Sequence, residues 1–425
     1  MNDRQRILED LLHFYYSDII AAFPDSARRN LYGSTFGQRL NNAVKYFGRS
    51  LKESFSQLPE ENIQALKNKN WLYLIGDNNF NSLSFLESQI ADTVYVTPYR
   101  YQRTESTIYH LSHTSRLRHL LAGLPGFLRL FFSGREEVGR AWDAVFRASG
   151  LYEYSLALLK AYQPRSIVFS NDTTLEPRAL LLAAKTLNIP TFYMQHACVR
   201  EDFPPLKFTC SFLEGEDALQ KYQQSGAIEG EVKLIGVPKI DPYLFRKNSN
   251  TKVESIGICS NLLDPIQSVE SVVNAILEAF PDCKITYRPH PGDQRQTEFK
   301  SNRLNISNSK VEKPFDFLSK QDLIIAGNTS IHYEAAMLNV VSIYYKFDQQ
   351  GLSDDTYGFV KNGLVDEAKN LDELQNIIST NRIEKKEMGE KAQFYNALLG
   401  TEQEGKSQAL VAERIKQIIS HSTST

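Results

Sequence analysis

The strongest chemical signal in the chain is the run Arg288-Pro289-His290-Pro291-Gly292-Asp293, directly after the apolar segment KITY (284–287). An apolar run of this kind reads as a buried strand, and the two prolines prevent helix continuation and stiffen the loop that follows. His290 is thereby expected at a strand's C-terminal end on a rigid support. There it could protonate a departing phosphate or hold it by a charge-assisted hydrogen bond. Arg288 would add a permanent positive charge, and Pro291 would wall the same pocket. The competing reading is a turn whose histidine caps neighbouring backbone. The convergence of Arg, His and two prolines on one loop favours chemistry.

A second signal is Gly327-Asn328-Thr329-Ser330, between DLIIA and the helical run IHYEAAML. Glycine permits a tight turn, and Asn, Thr or Ser can cap the helix that follows. The first turn exposes N–H groups at the positive end of the helix dipole, a ready phosphate site. A simple cap requires one such residue, so two hydroxyls plus Asn and Gly exceed what capping needs. Glu334, in the first turn, is placed to bond a nucleotide ribose, although a solvated helix-start carboxylate is nearly as good an account. His332 stands beside it.

The third is Gln195-His196-Ala197, after the apolar run TFYM. His196 is expected at another strand end, as a general base that takes a proton from an acceptor hydroxyl or as a group that positions the acceptor. A core histidine bonded to backbone is the alternative. Glu201 and Asp202, in the same loop, and Asp77, at the end of an earlier strand, are competing bases, and Pro204-Pro205 stiffens the segment. One match is set aside. Gly400 to Ser407 has the G-x-x-x-x-G-K-S spacing of a phosphate-binding loop, but a helical stretch rather than a strand precedes it, and two glutamates would crowd a phosphate. No G-x-G-x-x-G occurs.

These loops need strands to carry them. Short apolar runs at 71–77, 93–99, 166–172, 190–197, 208–216 and 232–238 alternate with helical segments, and a second series follows at 255–261, 284–291, 304–309, 322–330 and 341–347. Such alternation indicates parallel sheets covered on both faces, an α/β architecture. Helical periodicity also marks ILEDLLHFYYSDII and FGQRLNNAVKYFGRSL near the start. FRKNSNTKVE (245–254) is polar and aperiodic, so it is expected to link two Rossmann-like domains, residues 1–244 and 255–400. Residues 401–425 would form a terminal helix packing back on the first domain. Ligands of such sheets sit beyond the carboxyl ends of the strands, so a cleft between the domains is the expected site.

The totals agree with a folded enzyme-sized chain: 425 residues, 42% hydrophobic, 23% charged and a formal net charge of −2. That balance gives no bulk attraction to nucleic acid. The four cysteines fall in apolar runs without metal-ligand spacing, which predicts reduced, buried thiols and no structural metal. The first residues lack a signal-peptide core, and no apolar run is long enough to span a bilayer, so a cytoplasmic location is expected. The basic, apolar stretch 116–135 could lie on the inner face of an anionic membrane or form a buried hairpin with snorkelling arginines.

With these residues placed, the chain resembles bacterial surface-polysaccharide glycosyltransferases of the GT-B fold over about residues 165–350. The resemblance is carried by QHA (195–197), GVPKIDPY (236–243), RPHPGD (288–293) and GNTS (327–330). His290-Pro291 and Thr329-Ser330 are similar to the His-Pro and Ser/Thr motifs that flank the donor phosphate in bacterial sialyltransferases and Kdo transferases. That likeness implies an inverting, metal-independent transfer from a CMP-activated sugar such as sialic acid or Kdo to a glycan or glycolipid acceptor, with no cofactor beyond the donor. The segments also resemble wall teichoic acid polyol-phosphate polymerases, with His196 and His290 as counterparts, which implies a CDP-polyol donor. The Gly-Asn-Ser helix start is similar to that of UDP-N-acetylglucosamine 2-epimerases. A non-enzymatic capsule assembly or export protein would keep the fold without the chemistry. Two departures bear on mechanism: the sialyltransferases' acidic base motif has no clean match, and Ser342 stands where retaining enzymes carry the second Glu of an E-x7-E pair.

Overall fold

The computed structural model describes residue 10 and residues 35–55, 64–99, 101–134, 138–139, 141–200, 203–262, 264–297, 299, 301–347 and 355–422. The helical run ILEDLLHFYYSDII, Glu201 and Asp202 lie outside the described residues, Asp10 excepted. The chain divides into two compact units: Met1–Leu213 with Leu219–Lys233 and Gln408–Thr425, and Glu214–Ala218 with Leu234–Ser407. The division falls inside the last strand of the first sheet, ahead of the polar 245–254 segment where the sequence places a linker. Side chains explain the shift: Lys239 pairs with Glu334 at 2.7 Å, and Asp241 accepts from the Ser407 hydroxyl at 2.8 Å, so GVPKIDPY belongs to the second unit.

The first unit holds β1 (Asn70–Tyr73), β2 (Thr93–Thr97), β3 (Ile108–His110), β4 (Ser166–Phe169), β5 (Thr191–Met194), β6 (Cys210–Leu213) and β7 (Glu231–Leu234), in spatial order β3-β2-β1-β4-β5-β6-β7. Parallel pairing joins β1 to both β2 and β4, and β5 to β4 and β6. Every residue of β1, β4, β5 and β6 is buried, which is why these strands read as continuous apolar runs rather than alternating ones.

Helices α1 (Phe36–Glu53), α2 (Leu117–Phe131), α3 (Trp142–Tyr162) and α4 (Leu175–Thr186) accompany this sheet. A capping box starts α1: the Thr35 hydroxyl accepts from the Gln38 N–H at 3.3 Å, and the Gln38 side chain accepts from the Thr35 N–H at 3.2 Å. Gly123 lets α2 close on α3, since a Cβ there would stand 2.6 Å from the Ser149 carbonyl. A buried ion pair, Arg178 to Asp172 at 2.6 Å, closes the loop after β4, and Arg178 also donates to the Pro205 carbonyl oxygen at 3.3 Å.

The second unit holds β8 (Ser255–Cys259), β9 (Lys284–Arg288), β10 (Leu304–Ile306), β11 (Leu323–Ala326), β12 (Val341–Tyr345) and β13 (Asp366–Ala368), ordered β10-β9-β8-β11-β12-β13. All its recorded pairings are parallel. The order reverses at β8, so the loops after β8, β9 and β11 sit at the switch point where such sheets bind ligands. Helix α5 (Ile331–Met337) follows β11. Helix α6 (Ser407–Ser422) ends the described chain, and from Gln408 onward it clusters with the first unit, where Arg414 pairs with Glu231 at 2.6 Å. The four cysteines are buried thiols. Among the described residues no helix is long and apolar enough to cross a membrane.

Candidate functional site

Three loops of the second unit are knitted together at the carboxyl ends of adjacent strands. After β8, the Asn261 N–H donates to Asp264 Oδ2 at 2.7 Å and the Asp264 N–H donates back to Asn261 Oδ1 at 3.0 Å. Arg295, from the loop after β9, donates to the Asp264 carbonyl oxygen at 2.5 Å and to that of Asn261 at 3.0 Å. From the other side, the Asn261 amide donates to the Asn328 carbonyl oxygen at 3.4 Å. Gly327 suits this closeness: a Cβ would stand 3.1 Å from Asp264 Oδ1, so any side chain there would push the carboxylate back by a few tenths of an ångström. The loops of His290 and of Gly327–Ser330 are thus held by one shared partner.

His290 is exposed, and its Nδ1 accepts from the Gly292 N–H at 3.0 Å. An accepting Nδ1 places the proton of the neutral ring on Nε2, so the ring can donate from its outer nitrogen. Arg295 grips the Asp293 carboxylate at 2.6 Å and holds its pKa below the usual range. Arg288 does not join His290. Its guanidinium is buried, donates to Ser307 Oγ at 2.7 Å and to the Glu312 carbonyl oxygen at 3.0 Å, and lies 5.1 Å from the Phe317 ring centre. The second cation expected from the sequence is therefore a brace for the strand end. β9 is buried on both faces from Ile285 to Arg288, so the last residue of the strand is covered whichever way it points, whereas His290 has left the strand.

Ser330 begins α5 in helical backbone geometry, and its side chain makes no capping bond. Thr329 and Ser330 are half-buried, and the Ser330 hydroxyl is not consumed in starting the helix. The Asn328 amide donates to the Thr356 hydroxyl. Behind them His332 is fully buried, its Nε2 2.8 Å from the Gly327 carbonyl oxygen and its Nδ1 2.6 Å from Ser342 Oγ. The carbonyl can only accept, so Nε2 donates to it and Nδ1 accepts from the serine hydroxyl. Burial pushes the His332 pKa down to about 4, which keeps the ring neutral and this pattern intact. Ser342, at the place of the absent second Glu, is the anchor of that histidine.

Glu334 is nearly buried and ion-paired with Lys239, whose Nζ also stands 5.3 Å from the Tyr333 ring centre. Close to this pair lies Glu214, which the sequence reading missed. Burial pushes its pKa up to about 8, opposed by Lys239 and reinforced by Glu334 and Asp217. Its signal was present: FTCSFLEGE leaves a strand on a carboxylate, as WLYLIGD does.

In the first unit, Gln195 and His196 follow β5. The Gln195 N–H donates to the Phe212 carbonyl oxygen at 3.1 Å and its side chain to that of Ala197 at 3.1 Å, so His196 leaves a tied strand end half-buried. Asp77 is exposed and engaged by Tyr101, whose hydroxyl donates at 2.7 Å, and by Arg103. The loop from Gly400 to Ser407 is filled by its own glutamate: Glu404 accepts from the Gly400 N–H at 2.6 Å and pairs with Lys247 at 2.6 Å, leaving no cradle for a phosphate. Among the described residues no group of three or more His, Cys, Asp or Glu side chains is arranged to hold a metal ion.

No protein-family model and no curated protein matches the chain. Solved structures do match in fold. The wall teichoic acid polymerase TagF, determined with CDPG, superposes with a TM-score of 0.52 at 9% identity, covering 92% of this chain and 100% of that one. The glycotransferase of kitacinnamycin gives 0.51 at 13% identity, covering 83% and 99%. UDP-GlcNAc 2-epimerase from Methanocaldococcus jannaschii gives 0.50 at 16% identity, covering 83% and 99%. At these identities the likeness is one of fold: two parallel-sheet α/β units of the GT-B type.

Proposed function

We propose that the chain is an inverting, metal-independent glycosyltransferase whose second unit binds the phosphate of a nucleotide-activated sugar, with a CMP-sugar as the first donor to test. The observation that carries this reading is the shared bracing of the His290 loop and the Gly327–Ser330 loop by Asn261 and Asp264. In this reading Thr329, Ser330 and backbone N–H groups hold the phosphate. An acceptor hydroxyl attacks the anomeric carbon as the bond from that carbon to the phosphate oxygen breaks. The His290 Nε2–H then donates to the departing phosphate, doing electrostatically what a metal does elsewhere. The acceptor's proton goes to a base in the first unit. His196 is the candidate by its position at the end of β5, and Glu201, Asp202 and Asp77 remain candidates by their place in the sequence. Glu334 reaches the ribose only by exchanging Lys239 for a hydroxyl. The acceptor is proposed to be a glycan or glycolipid of a surface polysaccharide.

The test is thermal unfolding of the purified chain with CMP, CDP, UDP or GDP, each with and without EDTA. A ligand at 100 times its Kd stabilises by about 2.7 kcal/mol, a shift of roughly two degrees or more for a chain of this size. A shift with CMP that EDTA leaves unchanged supports the reading. A shift with CDP alone moves it to polyol-phosphate transfer, and one with UDP alone to a UDP-sugar transferase or epimerase. Silence from all four sinks the enzymatic reading in favour of a non-catalytic assembly role.

A further inference from the structure

The outer face of α1 and α2 is apolar where a solvated helix face should be polar. Along α1, Phe36, Leu40, Val44, Phe47 and Leu51 recur at helical spacing and Phe55 follows, while the opposite side buries Ala43, Tyr46 and Ser50. Within the stretch 116–135, which the sequence leaves open between membrane and core, the described residues of α2 divide by face. Leu120, Gly123, Phe127 and Leu130 turn inward, whereas Leu121, Leu128 and Phe132 turn outward. Exposure on this face runs from 39% for Phe131 to 81% for Phe55. Ten of the fifteen exposed large apolar side chains among the described residues lie on these two helices and the turns that end them, so this is a patch and not ordinary scatter.

The patch is continuous. Trp142, at the start of α3, has its ring centre 5.9 Å from that of Phe36 and 6.4 Å from that of Phe131, and Phe131 contacts Phe132 at 5.4 Å. An aromatic bridge thus joins the stripe of α1 to that of α2. Charge then selects the occupant. The two helices carry six Lys or Arg residues (Arg39, Lys45, Arg49, Lys52, Arg118 and Arg129) and one acid, Glu53, in a chain whose net charge is −2. A second copy seated on this face would bring two basic surfaces together. Anionic headgroups would accept the lysines and arginines while the aromatic and aliphatic side chains enter the acyl boundary.

We infer that the α1/α2 face docks the protein on an anionic lipid bilayer. The inference stands on the first unit alone and does not depend on which nucleotide the second unit binds. The test is flotation of the full chain with phosphatidylcholine vesicles and with vesicles of phosphatidylcholine and phosphatidylglycerol at 70:30, at low and high salt. The wild-type chain is expected to float with the anionic vesicles at low salt and to remain behind with the neutral ones. Leu40→Ser/Phe47→Ser/Phe132→Ser should weaken that association at least tenfold, roughly, because each exposed apolar side chain contributes by its buried area. Lys45→Gln/Arg49→Gln/Lys52→Gln should weaken it by about a hundredfold and abolish the preference for the anionic lipid. All six positions are exposed, so thermal unfolding should confirm that both variants keep the fold. Wild-type protein that never floats, or flotation that neither variant weakens, overturns the inference. A dimer in solution that the serine variant converts to monomer overturns it too, by assigning the face to a second copy.

Discussion

Two strand-end regions use polar residues in opposite ways. After β4 in the first unit, Asp172 and Arg178 are both buried and bonded to one another, and the arginine is completed by the Pro205 carbonyl. After β9 and β11 in the second unit, the buried members, Arg288 and His332, face inward to brace strand and loop, while His290, Thr329 and Ser330 stay accessible. The first region turns its charged pair inward, although Ser170 Oγ, Asp172 Oδ1 and Thr174 Oγ1 are buried there without a hydrogen-bond partner among the described residues. The second region uses some polar groups as braces and keeps others at the edge, as a ligand site would need. On the proposed reading the second unit carries the phosphate chemistry, and the comparison can be broken by mutating one member of each kind.

The largest effect is expected at His290. His290→Ala should lower kcat by about 10²–10⁴-fold, because a positioned proton donor contributes on that scale. Its thermal midpoint should stay near wild type, since the exposed ring gives up only its bond from Gly292. Steady-state kinetics beside a melting curve separates the two, and a variant retaining most of its activity removes His290 from the mechanism. Asp172→Ala should do the reverse: removing one partner of a buried pair costs about 3–5 kcal/mol. Urea unfolding should show that loss, while donor affinity in the folded protein stays unchanged. Near-wild-type stability would mean that Arg178 finds enough compensation in the Pro205 carbonyl.

The next pair of effects concerns pH and lies wholly in the second unit. His332 has its pKa lowered to about 4 from an ordinary value near 6.5, so the unfolded chain binds the extra proton first. Its contribution is fully present above pH 6.5 and is lost as pH falls towards 4, on the order of 3 kcal/mol. Glu214 has the opposite sign. Raised to about 8, it favours the folded state most below its unfolded pKa and loses that contribution as pH rises through 8. Melting curves should therefore show wild type losing ground to His332→Gln on acidification and to Glu214→Gln on alkalinisation. A constant gap between variant and wild type across pH 4–9 would contradict either shift.

The sequence revealed the strands best where burial is complete. WLYL, SIVF, TFYM and LIIA are apolar on both faces, and that cannot be mistaken for a surface element. The strands it missed, β3 and β13, are three residues long and sit at sheet edges, where Ile108–His110 and Asp366–Ala368 carry partly exposed polar groups. For the site, the loops were legible because proline, glycine and hydroxyl clusters announce strand ends. The direction of each side chain was not. Arg288 and His290 are two residues apart, yet the first ends a strand buried on both faces while the second has left the strand. His332 likewise looked like a companion of Glu334, and its bonds to Gly327 and Ser342 depend on how α5 packs against β12. Glu214 stayed hidden because its partners, Lys239 and Glu334, are distant in sequence.

The smallest expected effect is at Thr329 and Ser330, and it sharpens the contrast between bracing and accessible groups most finely. Neither hydroxyl caps α5, so their removal should leave stability within about 0.5 kcal/mol of wild type, as for substitutions away from packed or bonded features. If they hold the donor phosphate, Thr329→Ala/Ser330→Ala should raise donor KM by roughly tenfold to a hundredfold, since each lost hydrogen bond to a charged group removes about 1.5–3 kcal/mol and backbone donors offset part of the sum. Ser330→Ala alone should be milder. The control is Ser342→Ala, one strand away: it takes a hydroxyl from His332, and its cost should fall on stability first. An unchanged KM in the double variant would withdraw the phosphate role from these hydroxyls. Equal losses of stability in the double variant and in Ser342→Ala would show that Thr329 and Ser330 belong with the braces.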